Sequence, residues 1–191
     1  LSPSNVWAVG GTSNPNELRK TLIEHWDGET WNIVPSPNAE TGSSFLTAIS
    51  AVTSDDIWAV GSSLADSINH LLIEYWDGSE WKIVSPSEDL YDATLSGVAA
   101  VSSENVWAVG RYGTGPNTPQ HPLILHWDGT EWTSVPVLNP NPYGYLNGIV
   151  ALGADNIWAV GGYRYDASSA LYNTLVIHYD GLEWNIVPSP N

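Results

Sequence analysis

Cysteine and methionine are absent from the 191 residues, phenylalanine occurs once, and only five residues are basic. Without cysteine there is no disulfide framework, no thiol nucleophile and no thiolate metal site. The five cations, Arg19, Lys20, Lys82, Arg111 and Arg164, stand against 21 acidic residues, a formal net charge of −16. Such a surface repels phosphate backbones and anionic lipid, so nucleic acid is not an expected partner, while cations, basic partners and neutral sugars remain open. No run approaches the ~18 apolar residues of a membrane-spanning helix and no basic-then-apolar leader opens the chain, so no membrane insertion is expected. Leu1 is not an initiator methionine, from which a processed chain, or one cut from something longer, is expected.

What is plentiful is tryptophan, 11 residues in all, and it falls in register. Val6-Trp7-Ala8-Val9-Gly10 returns as Ile57-Trp58-Ala59-Val60-Gly61, Val106-Trp107-Ala108-Val109-Gly110 and Ile157-Trp158-Ala159-Val160-Gly161, at steps of 51, 49 and 51 residues. A second word follows each copy: His25-Trp26-Asp27-Gly28, Tyr75-Trp76-Asp77-Gly78, His126-Trp127-Asp128-Gly129 and His178-Tyr179-Asp180-Gly181, each with a later tryptophan at Trp31, Trp81, Trp132 or Trp184. A period of roughly 50 residues describes an array of supersecondary units, none able to bury its apolar surface alone. All eleven indoles (Trp7, Trp26, Trp31, Trp58, Trp76, Trp81, Trp107, Trp127, Trp132, Trp158 and Trp184) are therefore expected in a repeated core.

Each complete unit reads as four short strands. Strand A is Phe45 to Val52, Thr94 to Val101 and Tyr145 to Leu152, with the small column Ala48, Gly97 and Gly148 beside Thr47, Ser96 and Asn147; small residues suit close approach around an axis. Strand B is the first tryptophan word. Strand C is Thr21 to Trp26, Leu71 to Trp76, Leu123 to Trp127 and Leu175 to Tyr179, apolar on both faces and so expected to be covered on both. Asp-Gly turns the chain into strand D, which is soon followed by Pro35, Pro86, Pro136 or Pro188, as suits an exposed outer edge. Four antiparallel strands covered by like neighbours make a blade, and the fold class expected is an all-β β-propeller with almost no helix. It forms a single array, with blades at about 1–38, 39–87, 88–138 and 139–191. The first unit has no strand A and none is spare after Val187. Consecutive blades of a longer array, or a strand supplied by another chain, are therefore expected in preference to a self-contained four-bladed ring.

Strand direction alternates, so the A–B and C–D turns share one pole and the B–C and D–A loops the other. The second set varies in length and content: Gly11 to Lys20, Ser62 to His70, Arg111 to Pro122, Gly162 to Thr174, Ser36 to Ser44, Ser87 to Ala93 and Val137 to Gly144. Function concentrates on variable loops carried by a rigid scaffold. The candidate ligand-binding residues at that pole are Arg19, Tyr91, Arg111, Tyr112, Tyr143, Tyr163, Arg164 and Tyr165, because aromatic faces beside hydrogen-bonding groups suit sugars or peptides. The alternative is that these tyrosines lid the core and the arginines pair with surplus carboxylates. At the uniform pole each turn offers one or two carboxylates, whereas a calcium loop spaces several in one loop, so the repeated Asp is expected to hold its turn. The column His25, Tyr75, His126 and His178 spreads roughly a blade apart, as core or interface residues rather than convergent metal ligands. No metal, cofactor or catalytic residue is expected.

The two words resemble bacterial, secreted repeat proteins, in the style of kelch and WD-repeat propellers, over essentially the whole chain. That resemblance implies surface or extracellular placement and binding or assembly platforms rather than a defined activity. Asp27-Gly28-Glu29-Thr30-Trp31 also resembles the Asp-box hairpin of sialidase-type propellers, but glycine directly after aspartate departs from that spacing. The expected function is a non-catalytic extracellular module that binds protein surfaces or copies of itself. Lectin-like glycan binding is the alternative. A glycoside hydrolase is the third reading, although Glu17, Asp66 and Asp166 on the variable pole show no paired spacing.

Overall fold

Asp-Gly stands where the chain must reverse in two residues, and in a computed structural model of the protein Gly28, Gly78, Gly129 and Gly181 take φ values of +101°, +91°, +96° and +94°. Only glycine holds that conformation without strain. Before each glycine an aspartate ties the turn: Oδ1 of Asp27 accepts the amides of Glu29 (2.9 Å) and Thr30 (2.8 Å), and Asp77, Asp128 and Asp180 each bond the matching two amides. The carboxylates are held below their usual range by these bonds, led in Asp77 by Lys82 and in Asp128, at about 2, by the Thr130 hydroxyl. The repeated Asp is thus a structural latch.

The structure describes residues 2–137, 143–166 and 171–190. Among these are four antiparallel sheets and no helix. The first sheet is β1 (Val6–Gly11), β2 (Thr21–Trp26) and β3 (Trp31–Val34); the second is β4 (Ser43–Thr53), β5 (Asp56–Ala65), β6 (Ile68–Trp76) and β7 (Trp81–Ile83). The third is β8 (Thr94–Ser102), β9 (Asn105–Tyr112), β10 (His121–Trp127) and β11 (Trp132–Ser134); the fourth is β12 (Tyr143–Gly153), β13 (Asn156–Arg164), β14 (Asn173–Tyr179) and β15 (Trp184–Ile186). Within each sheet spatial order follows chain order, as in propeller blades, and among the described residues the first sheet has three strands, the counterparts of strands B, C and D. The segment 62–70 is not a loop: β5 and β6 extend into a long hairpin whose tip, Asp66 and Ser67, has φ of 51° and 65°.

Three apolar clusters fill the three seams between successive sheets. The inner strands β4, β8 and β12 each carry a bulge, between Leu46 and Ala48, Leu95 and Gly97, and Leu146 and Gly148. The extra residue in the second blade, Thr47, sends its hydroxyl to the carbonyl of Leu95 (2.8 Å), tying one blade to the next. Among the described residues no seam of this kind joins the fourth sheet to the first, so these four sheets form an open arc.

Two expectations need correction. Trp31 does not lie in a core: it is 49% exposed, whereas Trp81, Trp132 and Trp184 in the same column are 5% or less. Among the described residues strand C is covered on both faces only in the second and third blades, and the outer faces of the first and fourth sheets meet no other sheet. Trp7, Trp26, Trp76, Trp127 and Trp158 are half-buried, while Trp58 and Trp107 are buried.

The motif glycine shows how the inner strand sets a residue. A Cβ on Gly110 would lie 1.9 Å from the carbonyl oxygen of Thr94 on β8, and Gly61 and Gly161 are equally closed, yet nothing lies within 4 Å at Gly10, where no inner strand is present. Gly110→Ala is therefore expected to destabilise by about 3 kcal/mol through overpacking. Gly10→Ala should raise stability by about half a kcal/mol through lost chain entropy in the unfolded state. Urea unfolding of the two variants checks both signs.

Candidate functional site

The variable pole is built by strand ends more than by loops, because β9, β12 and β13 run on until Arg111, Tyr112, Tyr143, Tyr163 and Arg164 lie at their tips. Antiparallel register places Tyr143 opposite Arg164, and the seam between the third and fourth sheets brings Arg111 alongside them. These three residues line one cleft of about 130 Å³, with Tyr145, Tyr172 and Gln120 completing its walls. The Arg164 guanidinium stands over the Tyr143 ring at 5.1 Å and the Tyr172 ring at 5.4 Å, and Tyr172 meets Tyr145 edge-on at 5.4 Å. The side-chain amide of Gln120 donates to Asp92 (3.1 Å), and its backbone carbonyl accepts the Gly144 amide (2.8 Å), which fixes the floor between the two sheets. Arg111 is exposed and forms no ion pair among the described residues.

The remaining candidates are scattered. Arg19 lies at the first seam, its guanidinium 5.7 Å from the Phe45 ring. Tyr91 and Tyr112 belong to the second seam: the Tyr91 carbonyl accepts the Gly113 amide, and the Tyr112 ring tilts against His121 at 5.4 Å. Tyr163 packs on the core of the third seam, and Tyr165 is 65% exposed with its ring edge-on to Tyr163. Two of the variable loops, at 138–142 and 167–170, fall partly outside the described residues. Tyr145 and Gln120 line the cleft without being marked for it in the sequence. Tyr145 is concealed by its place in strand A, and Gln120 carries no motif.

The histidine column has a definite chemistry. His25, His126 and His178 stack on Trp7, Trp107 and Trp158 with ring centroids 4.1–4.3 Å apart. One asparagine serves each pair: Oδ1 of Asn5, Asn105 or Asn156 accepts the indole Nε1–H at 2.6–3.1 Å and lies 2.8–3.0 Å from the imidazole Nε2. An amide oxygen can only accept, so Nε2 carries its hydrogen and is closed to metals. Burial also holds His126 below its usual pKa. In the second blade Asp56 and Tyr75 replace asparagine and histidine together, and the Tyr75 phenol is pushed up first by burial and then by the Asp56 and Asp77 charges. Among the described residues no group of three or more His, Asp or Glu side chains could hold a metal ion.

One buried acid stands apart. Glu74 on β6 faces the first seam, is 0% exposed, and neither carboxylate oxygen has a hydrogen-bond partner. Burial pushes its carboxyl from 4.5 up to about 8. Leu125 and Ile177 hold the same register place in the third and fourth blades, opposite Ala108 and Ala159 as Glu74 is opposite Ala59.

No protein-family model matches the chain, and no curated protein matches it. Among solved structures it is similar to YCF48 bound to a D1 peptide, with 18% identity and a TM-score of 0.49, covering 74% of this chain and 39% of that one. The chain thus spans about two fifths of that protein's length. It is similar to an alpha-L-arabinanase of Penicillium chrysogenum complexed with arabinobiose, with 10% identity and a TM-score of 0.56, covering 98% of this chain and 67% of that one. It is also similar to a fucose lectin from Kordia zhangzhouensis in complex with methyl-fucoside, with 17% identity and a TM-score of 0.46, covering 75% and 99%. The architecture of the sheets, with the likeness to the arabinanase, establishes the chain as an arc of β-propeller blades.

Proposed function

We propose that this chain is a non-catalytic binding module, displayed outside a cell or on its surface, which holds an anionic group of its ligand in the cleft between the third and fourth blades. The observation that carries the reading is the meeting of Arg111, Tyr143 and Arg164 in one cleft, in a chain with only five basic residues. Guanidinium groups take carboxylates by paired, charge-assisted hydrogen bonds, and the tyrosine faces beside them suit a sugar ring or a peptide side chain. The extracellular setting rests on the resemblance of the repeat words.

Two alternatives fare less well. A lectin with equivalent sites around the array would repeat its contacts at each seam, whereas the three seams carry different groups at this pole. A glycosidase needs two carboxyl groups about 5–10 Å apart, and no carboxylate is among the described residues lining the cleft. Titration calorimetry with an acid-ended peptide, a uronic-acid oligosaccharide and a neutral oligosaccharide tests the proposal and separates the ligand sources. At least one anionic probe is expected to bind, the neutral sugar to bind at least tenfold more weakly, and Arg111→Ala to lower the anionic affinity about tenfold. Equal binding of neutral and anionic probes, or turnover of any glycoside, would overturn it.

A further inference from the structure

The acid at Glu74 is not something the fold requires. Its column on strand C holds Leu125 and Ile177 in the third and fourth sheets, both buried and both opposite an alanine of strand B, so packing there is served by a branched aliphatic side chain. In the second sheet the same place holds a carboxyl group, sealed from solvent and without a hydrogen-bond partner for either oxygen. The first seam around it is apolar, built from Ile23, Leu46, Ile57, Ala59, Leu72 and Trp81. A neutral carboxyl in such a place forgoes hydrogen bonds; an ionised one is an uncompensated charge, which is far more costly.

No cation in the seam offsets that charge. β1, β3 and β4 carry no titratable side chain. Glu24 on β2, Asp56 on β5 and Lys82 on β7 lie on the opposite faces of their strands, and Lys82 is held by Asp77 (2.6 Å) and Glu80 (3.2 Å). The groups that do share the face of Glu74 are His25 on β2, whose Nε2 lies 2.8 Å from Asn5 Oδ1, and His70, exposed near the start of β6. At the variable pole Arg19 stands over the Phe45 ring. None of these bonds the carboxyl.

We infer that Glu74 makes the first seam a pH-operated joint: with its carboxyl protonated the first sheet stays docked on the second, and as the proton leaves the two sheets part and admit water while the other two seams stay shut. Burial raises the docked carboxyl from 4.5 to about 8. The parted state, in which the carboxyl meets water, therefore gains population as pH rises from about 4.5 and stops gaining above about 8. Below that window the joint is closed. The effect is local because Leu125 and Ile177, in the second and third seams, have nothing to titrate, and a seam can open as a unit without the rest of the array. This device lies in the first seam and goes beyond the ligand reading, which concerns the third and fourth blades.

Amide hydrogen exchange, expressed as protection factors at pH 6 and pH 8, tests it. Protection of the β2 amides should fall about 50-fold over that interval. Protection of β14, the equivalent strand of the fourth sheet, should change less than about threefold, because its seam has no buried acid in this column. Glu74→Gln and Glu74→Leu should both hold β2 protection level, and the leucine variant decides the matter if the glutamine variant fails to fold. Both variants keep His25 and His70, so a fall that survives in them belongs to the histidines and overturns the inference. Equal falls in β2 and β14, which would mean opening of the whole array, or level β2 protection in the parent, would overturn it too. The readout needs no ligand, so its outcome is independent of the reading of the cleft.

Discussion

Replacing Glu74 with leucine should make the protein more stable at neutral and alkaline pH, and should remove most of the dependence of stability on pH between about 4.5 and 8. The carboxyl is sealed in the first seam with no partner, and its folded pKa is raised to about 8. A folded pKa above the unfolded one means that the folded state holds the proton more tightly. Stability is therefore undiminished below the unfolded value, falls as pH rises through the window, and levels off above about 8. The full shift corresponds to about 5 kcal/mol. Leucine is the natural replacement because Leu125 sits in the same register in the third blade. Chemical denaturation at pH 5, 7 and 9 should give converging values for Glu74→Leu and a falling series for the parent. Glu74→Gln separates charge from packing: it should abolish the pH dependence without recovering the stability. A parent with flat stability across this range would show that water or a partner reaches the carboxylate.

Trp107→Ala is expected to cost about 3–5 kcal/mol, the range for removing a buried aromatic side chain, and to lower the thermal midpoint by about 10 °C. Its indole joins two blades at once. It stacks on His126 at 4.1 Å, bonds Asn105 at 2.6 Å and fills the space between Tyr179 and Trp184. Trp31→Ala, in the same protein and the same residue type, should cost under about 1 kcal/mol in the single chain because half of that side chain already meets solvent. Equal losses from the two variants would place the stability elsewhere than in the seams.

The contrast between those two tryptophans shows what a reader of the chain could and could not see. Strands B, C and D follow from the repeated words because each is a short, largely apolar run that ends at a turn residue whose geometry is local. Burial is not local. Trp31 and Trp81 sit in the same word, and what differs is the sheet laid against them. The Asn–Trp–His clip was legible in principle, since Asp56 and Tyr75 change together in the one blade that lacks it. The meeting of Arg111 with Arg164 was not legible, because it depends on how far β9 and β13 extend past their words and on the angle between two sheets. Neither quantity leaves a mark in residue spacing. The extra residue in β4, β8 and β12 was visible only as a polar residue beside a small one; its effect, which aims Thr47 across a seam at Leu95, needed the fold.

The outermost strands β3, β7, β11 and β15 are only three or four residues long, and Pro35, Pro86, Pro136 and Pro188 follow them closely. Their rims are too short, and too soon interrupted by a residue without an amide hydrogen, to template sideways pairing with a foreign strand. A crowded solution of this protein is therefore steered away from cross-β aggregates, and the rim of each blade stays inert towards extended chains that drift against it.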